Sequence, residues 1–454
     1  MKKFVEPRSV ALVGATRRTG EDDFNILMNL LSYGYKGKIY PINPNATEIL
    51  GLKIYPSIAD VNDEVDLAII NLPRALVPGA VKECIRKGIH YIQIVAQGFA
   101  DATDEEGKQL QGEIDKLLKE NEVRIIGPNT LGIANGFAKF SSSFVKLQLE
   151  EVPIGIISQT GFYITAPELR LMGKVIDLGN TCDIDFADCL EYFEQDKETK
   201  VVALHIEGIR DSKRFLEVAS RITRRKPVIA LKTGRSEYAA KAAQSHTGSL
   251  VGRDEVWEAA LRQCGIIRVD DIAELADLAK AFSLLPPMRG RGVGIMCYSG
   301  GLGIASIDAC YRFGLELANF SPDTMRHITA LLPSWQGVGN PADIWPAVMI
   351  SKNPLDQVLT ESIIPVLNDD EVHAALIAWA VQNSQHCNIL CEIMVKLAEA
   401  HQAKPLVCCV DGYYAEEAKN RLKDVSGIMV AHSLDRAIRA LAHMARYSAF
   451  REVF

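Results

Sequence analysis

An apolar strand that runs into a glycine-bearing turn and then a helix occurs three times along the 454-residue chain. No other feature restricts the fold as much. The first opening is Ser9-Val-Ala-Leu-Val-Gly-Ala-Thr16, followed by a helical pattern through Phe24, Leu27, Met28 and Leu31. The second is Ile154-Gly-Ile-Ile157, then Ser158-Gln-Thr-Gly161 and a helix expected to carry Leu169 and Met172. The third is Val293-Gly-Ile-Met-Cys297, then Ser299-Gly-Gly-Leu-Gly303 and a helix through Ile307 and Tyr311. Each leads into further alternating strands and helices, the pattern of parallel sheets covered on both faces. The expectation is an α/β chain of three doubly wound domains. Turn residues place the first boundary after Ile126-Gly-Pro-Asn129, between residues 133 and 150, and the second within Pro286-Pro-Met-Arg-Gly-Arg-Gly292. A final helix is expected around Leu434 to Arg446.

Composition removes several classes of function. With 48% apolar and 24% charged residues the chain is neither disordered nor a disulfide-stapled miniprotein. A net charge of −7 argues against a nucleic-acid binder, which carries a basic face. The one dense basic run, Arg221 to Lys226, reads as a solvated helix end leading into Pro227. No stretch approaches the roughly 18 apolar residues that cross a bilayer, so no membrane partner is expected. Lys2 and Lys3 precede apolar residues that Glu6, Pro7 and Arg8 interrupt, which is not a signal peptide. The ten cysteines are scattered without metal-ligand spacing and have mostly apolar neighbours. They read as buried free thiols in a reducing cytoplasm, with no metal held by this chain.

Ligands of doubly wound sheets bind where glycine turns meet the carboxyl ends of strands, because backbone N–H groups and the helix dipole favour anions there. Gly14-Ala-Thr-Arg-Arg-Thr-Gly20 spaces its glycines more loosely than the dinucleotide fingerprint. The next strand, Lys38-Ile-Tyr-Pro-Ile-Asn43-Pro44, ends in Asn rather than the acid that binds a ribose 2′-hydroxyl. A nicotinamide cofactor, and with it an oxidoreductase, loses ground. Thr16, Arg17 and Arg18 stand in the turn instead, where guanidinium groups either hold ligand phosphates or solvate a loop. Asn71-Leu-Pro73, Ala96-Gln-Gly-Phe99 and Gly127-Pro-Asn129 follow further strands with small polar turns, which suits an extended ligand lying over one edge.

Val13-Gly-Ala-Thr16, Tyr40-Pro-Ile-Asn-Pro44, Gly51-Leu-Lys-Ile-Tyr-Pro-Ser57 and Gly127-Pro-Asn-Thr-Leu-Gly132 resemble the CoA-binding domain of the NDP-forming acyl-CoA synthetases. These are relatives of succinyl-CoA synthetase and of the ADP-forming acetyl-CoA synthetases. The resemblance runs through the whole chain and has the α-subunit order. It implies a Rossmann-like CoA-binding domain over 1–140, a flavodoxin-like phosphohistidine domain over 150–286 and a second flavodoxin-like ligase domain over 290–454. It places Gly14, Ala15, Thr16, Arg17, Arg18, Asn43, Pro44, Leu72, Pro73 and Gly98 where the family contacts CoA. Glu21-Asp-Asp23 departs from the family, which usually has small residues there. The three carboxylates repel a phosphate unless they face solvent, pair with the arginines or cap the next helix.

Most of the nine histidines sit in amphipathic patterns and read as structural. His246 differs. It stands in the small polar loop Gln244-Ser-His-Thr-Gly-Ser-Leu-Val-Gly252, where Ser245, Thr247 and Gly248 leave its imidazole open and surround it with donors. Together with Lys232-Thr-Gly-Arg-Ser236 and Gly265-Ile-Ile-Arg-Val-Asp270 this resembles the family's phosphohistidine loop. An imidazole that attacks phosphorus needs an acceptor on its other nitrogen. Glu207, after the strand Val201-Val-Ala-Leu-His-Ile206, is the candidate, with pairing to Arg210 as its alternative role. His205 is assigned to the opposite face and a structural role. Ser158-Gln159-Thr160-Gly161 is the expected anion cradle, offering two hydroxyls and a helix N-terminus and resembling the family's S-x-[ST]-G segment. Phe162-Tyr163 follow where the family has smaller residues, which narrows the cavity for acyl groups.

Ser299-Gly-Gly-Leu-Gly303 and Gly339-Asn-Pro-Ala-Asp343 match the family's third domain and carry no assigned catalysis. The three domains leave no room for an ATP-grasp fold, which needs on the order of 200 further residues. The resemblance therefore implies an ATP-grasp β-subunit that supplies ADP/ATP and Mg2+, in an α2β2-type hetero-oligomer. The activity it implies is an ADP-forming acid–CoA ligase acting on a small carboxylic acid and its acyl-CoA. A non-catalytic CoA-binding regulatory or scaffold protein of the same fold is the alternative, motivated by Glu21–Asp23 and Phe162–Tyr163.

Overall fold

The computed structural model describes residues 1–18, 20, 24–236, 238–239, 253–350 and 353–453. The first sheet is formed by β1 (Ser9–Val13), β2 (Lys38–Ile42), β5 (Leu67–Ile70), β6 (Tyr91–Ile94) and β7 (Arg124–Ile126), with a short hairpin, β3 (Glu48–Ile49) and β4 (Leu52–Lys53), beside it. Its order is β2-β1-β5-β6-β7 and every pair is parallel. The second sheet holds β8 (Ile133–Asn135), β9 (Phe140–Ser141), β10 (Ile154–Ser158), β11 (Lys174–Asp177), β12 (Val201–Ile206), β13 (Val228–Lys232) and β14 (Ile267–Val269). Its order is β14-β13-β12-β10-β11-β8-β9, parallel except for β8 and β9 at one edge. The third has β15 (Gly292–Cys297), β16 (Glu316–Leu317), β17 (Ala342–Asp343), β18 (Ala374–Ala380), β19 (Leu406–Asp411) and β20 (Ile428–Ala431), in the order β16-β15-β18-β19-β20 with β17 against β15.

In the first two sheets the opening strand lies between the second and third parallel strands of its unit, and in the third β15 lies between β16 and β18 with the short β17 also pairing with it, so chain direction across each sheet reverses at the opening strand's edge. That reversal opens a crevice at the strand's carboxyl end. The repeated opening thus delivers three α/β sheets of one topology. Strands β1, β10, β12, β13 and β15 are buried along their whole length, as expected of parallel strands covered on both faces.

Contacts divide the chain into Met1–Ala276 and Asp277–Phe454. The first unit carries two sheets because they share apolar side chains: Leu12, Ile69 and Ile126 belong to the same cluster as Ile157, Ile176 and Leu204. The chain enters the second sheet already at Ile133, where β8 pairs with β11. In the second unit Trp379, Ile377 and Leu390 centre a separate core. Its opening helix, Gly300–Phe313, is capped by the Ser299 hydroxyl and ends at Gly314, and its last helix is Leu434–Val453. No helix among the described residues is long and apolar enough to cross a membrane.

One element differs from expectation. The helix after Ser158–Gly161 spans only Gly161–Ile164, and Leu169 and Met172 lie beyond it. Pro167 explains the early stop, since a proline disfavours helical backbone at the preceding residue and lacks the N–H of the next turn. The basic run at Arg221 is also not simply solvated. Arg221 and Arg225 pair with the buried Glu194, and the Lys226 ammonium donates to the Phe193 carbonyl.

Candidate active site

At the first sheet's carboxyl edge the β1 exit packs on the exits of β2 and β5. Gly14 has φ +90°, and a Cβ there would stand 2.2 Å from the Asn71 carbonyl, so only glycine lets the turn approach β5. The Gly14 and Ala15 N–H groups donate to the Ile42 carbonyl, while the Asn43 amide donates to the Ala15 carbonyl at 2.7 Å. Asn43 is therefore a brace for the turn. Thr16 Oγ1 accepts from the Arg18 N–H, and the side chains of Arg17 and Arg18 project into solvent. Leu72 stands beside Gly14, and Pro44 and Pro73 are exposed on the same edge.

Gly98, at the β6 exit, has φ +93° and lies against Arg74, which donates to the Gly98 carbonyl at 3.1 Å. Arg74 also pairs with Asp104 and Glu106. Asp101 accepts from the Gly98 and Phe99 N–H groups, and the Asn180 amide reaches it at 2.7 Å. Burial opposes ionisation of Asp101, yet these donors hold its carboxyl below the usual range. The residues expected to contact CoA thus come together along one edge. Arg74 and Asp101, which sequence reasoning missed, hold that edge in shape. The only signal for them was their position just past a strand-end proline or glycine, Arg74 directly after Pro73 and Asp101 three residues after Gly98. Residues 21–23 lie outside the described residues.

The second sheet's edge holds buried polar side chains. Ser158, Asp177, Glu207 and Lys232 are all buried at the exits of β10, β11, β12 and β13. Gln159 Oε1 accepts from the N–H groups of Glu207 at 2.6 Å and Gly208 at 2.9 Å, fixing the turn that carries the Glu207 carboxylate. Arg210 donates to the Thr181 and Cys182 carbonyls, which anchors the far side of the same turn. Ser158 Oγ donates to the Thr160 carbonyl at 2.7 Å and accepts from the Thr160 N–H. Of the turn's two hydroxyls, then, that of Ser158 is committed inward, contrary to expectation, and so is the Gln159 amide oxygen. Thr160 makes no capping bond to the single helical turn that follows Gly161. Ser245, His246, Thr247 and Gly248 lie outside the described residues.

His205 corrects a second expectation. It faces the Ser158 side of the sheet, toward the expected anion cradle. In register it stands directly beside Ser158. Its Nδ1 is 3.3 Å from Ser158 Oγ, its Nε2 is 3.1 Å from Thr233 Oγ1, and the Tyr163 ring lies 4.1 Å away, tilted by 32°. Phe162 is 73% exposed beside Tyr163.

Burial moves the titrations of this edge strongly. It lifts the Asp177 carboxyl to about 7, with the nearby Glu207 charge adding to it, against amide and hydroxyl donation from Leu131 and Thr130. It lowers His205 to about 3, helped by the Lys232 charge. Lys232 itself is brought down to about 8 by burial, with its ammonium over the Trp257 ring. Buried groups with displaced titrations, gathered at a sheet's switch point, are the setting of a catalytic centre.

Two family models match the two halves of this unit: a CoA binding domain over residues 8–136 and a succinyl-CoA ligase like flavodoxin domain over residues 151–282. The chain is 34% identical to the ADP-forming acetate–CoA ligase I subunit alpha of Pyrococcus furiosus, over 99% of this chain and 98% of that one. The chain belongs to the ADP-forming acyl-CoA synthetases. It is also 37% identical to the ADP-forming acetate–CoA ligase II of Archaeoglobus fulgidus, covering 99% of this chain but 67% of that longer protein. Across the curated relatives it matches, it spans from about half to nearly all of their length. Among solved structures, the dinucleotide forming acetyl-coenzyme A synthetase 1 of Ca. Korarchaeum cryptofilum, in complex with phosphate and ADP, superposes with a TM-score of 0.89 at 30% identity, over 99% of this chain and 97% of that one. The α/β fold, the CoA-binding first sheet and the acid–CoA ligase class follow from that membership.

Proposed function

We propose that this chain is the acyl- and CoA-handling half of an ADP-forming acid–CoA ligase, working with an ATP-grasp β-subunit in a cytoplasmic α2β2-type assembly. CoA lies over the exits of the first sheet within residues 1–140, with Arg17 and Arg18 on its phosphates. The phosphohistidine domain occupies 150–286 and the third ligase domain 290–454. The observation that carries the reading is Glu207, a buried carboxylate whose backbone is clamped by Gln159 at the edge from which the chain continues to His246.

In the net reaction acyl-CoA, phosphate and ADP exchange with the free acid, CoA and ATP. Phosphate attacks the thioester carbonyl and expels the CoA thiolate, leaving an acyl phosphate. The His246 imidazole then takes the phosphoryl group through one nitrogen and releases the carboxylate. Glu207 accepts the other ring N–H, fixing the tautomer and sharing the positive charge of the phosphorylated ring. Thr160 and the Gly161 amide stand at the strand exit where the transferred group is received, and Ser245, Thr247 and Gly248, as sequence neighbours of His246, are the further phosphate-binding candidates. Phosphohistidine divides one difficult transfer into two steps that depend on position and charge. ADP and Mg2+ belong to the partner, where the metal neutralises the nucleotide's phosphates. The acid, a small carboxylate, lies against Tyr163 and Phe162.

Labelling tests the reading. Acyl-CoA with radioactive phosphate, or radioactive ATP with the partner, is expected to put acid-labile label on His246 and none on His246→Asn. Wild type that stays unlabelled under both conditions while binding CoA is instead the non-catalytic CoA-binding scaffold.

A further inference from the structure

His205 is a buried titratable group at the second sheet's switch point for which the transfer steps above have no task. Its surroundings assign its proton. Ser158 has one hydroxyl proton, given to the Thr160 carbonyl at 2.7 Å, so toward His205 its oxygen is an acceptor. Nδ1 of His205 therefore carries the hydrogen. Nε2 is then bare and accepts from the Thr233 hydroxyl at 3.1 Å, a shorter path for that proton than the Ile206 carbonyl at 3.4 Å. Burial and the Lys232 charge, which hold the ring near pKa 3, keep it neutral at physiological pH. This pattern, one donor and one acceptor, is the one that a neutral imidazole satisfies and an imidazolium does not.

The consequence is mechanical. Ser158 ends β10 and starts the Ser158–Gly161 turn, and Thr233 follows β13 on the stretch of chain that continues to His246. One ring spans the gap between the two exits, while its face supports Tyr163 on the single helical turn that follows. A side chain with the ring but no nitrogens would lose both bonds. One with an amide would keep a donor and an acceptor but lose the stacking surface.

We propose that His205 is a positioning residue of the phosphoryl-transfer site, its two nitrogens fixing the Ser158 turn relative to the β13 exit and its ring holding Tyr163 as the wall that limits acyl size. The inference rests on the reading of that edge as the transfer site, and the two fail separately. The ligase with its nucleotide-binding partner would be compared as wild type, His205→Phe and His205→Gln. Rapid-quench labelling of His246, kcat and KM for acetate and for a bulkier aryl acid, CoA affinity and thermal midpoint would be measured on each.

Phe is expected to slow labelling about tenfold or more, as a displaced reacting group does, with the acetate-to-aryl preference unchanged. Gln is expected to restore labelling to within about threefold while shifting that preference toward the aryl acid by about fivefold or more, the scale of a changed apolar wall. CoA affinity stays as in wild type for both. Parallel losses in the two variants that track the thermal midpoint, with one unchanged preference, overturn the proposal, and so do two variants that behave as wild type. Wild type that never labels removes the functional reading itself, and this inference with it.

Discussion

The two carboxyl-edge turns of the first unit begin from the same strand–glycine–helix opening and end in opposite conditions. At Gly14 the turn is open: Arg17, Arg18, Pro44 and Pro73 are exposed, and Asn43 donates to the turn's Ala15 carbonyl while accepting from the Asn45 N–H. At Ser158 the turn starts from a buried side chain, and Asp177, His205, Glu207 and Lys232 are buried around it. The difference matches two demands. A long anionic ligand is held by an accessible row of donors and cations, whose attraction salt screens. Moving a phosphoryl group is helped by a dry site whose dipoles are already oriented and whose charges act at low dielectric.

Variants can break or sharpen this contrast. The largest effect is expected from His246→Asn, which should abolish nucleoside triphosphate formation by the assembled ligase, a loss of at least about a thousandfold, while CoA affinity measured by calorimetry stays within about twofold. Loss of both together would mean that the two edges do not act separately.

Next is Asp177. Its folded pKa lies above the unfolded value, so between about pH 4 and pH 7 the native state keeps a proton that the unfolded chain has released, and stability falls as pH rises through that window. Asp177→Asn is expected to melt higher than wild type at pH 8, by at most about 4 kcal/mol, and to lose that advantage near pH 4. A pH-independent difference in denaturant midpoints would contradict a buried edge.

Glu207→Gln should slow His246 labelling about a hundredfold, as removal of an acid–base partner does, with CoA affinity unchanged. The smallest effect belongs to the open edge. Arg17→Ala or Arg18→Ala should weaken CoA binding about tenfold or less, with a flatter salt dependence, and leave labelling at saturating CoA intact. An equal effect at low and high salt would remove these arginines from the phosphates.

Much of this was legible along the chain. The apolar runs, the glycines after them and the polar residues at strand ends are local features, and the three sheets, the gathered CoA-edge residues and the place of Glu207 follow from them. Pro167 was legible too and outweighs the apolar pattern that suggested a longer helix after Gly161. His205 was misplaced because its neighbour Ser158 is set by the register between β10 and β12, which local sequence does not carry.

What sequence determined by itself, then, was which elements form and which chemistry stands at each strand end, because period, turn residues and helix stops act over a few neighbouring positions. Only the tertiary structure decided where each polar group finds its partner. Whether the Ser158 hydroxyl meets a ligand or the ring of His205, and whether two sheets share one core, depends on register between strands far apart in the chain. Burial then decides the protonation state, since removing water penalises charge according to what surrounds the group and not according to its sequence neighbours.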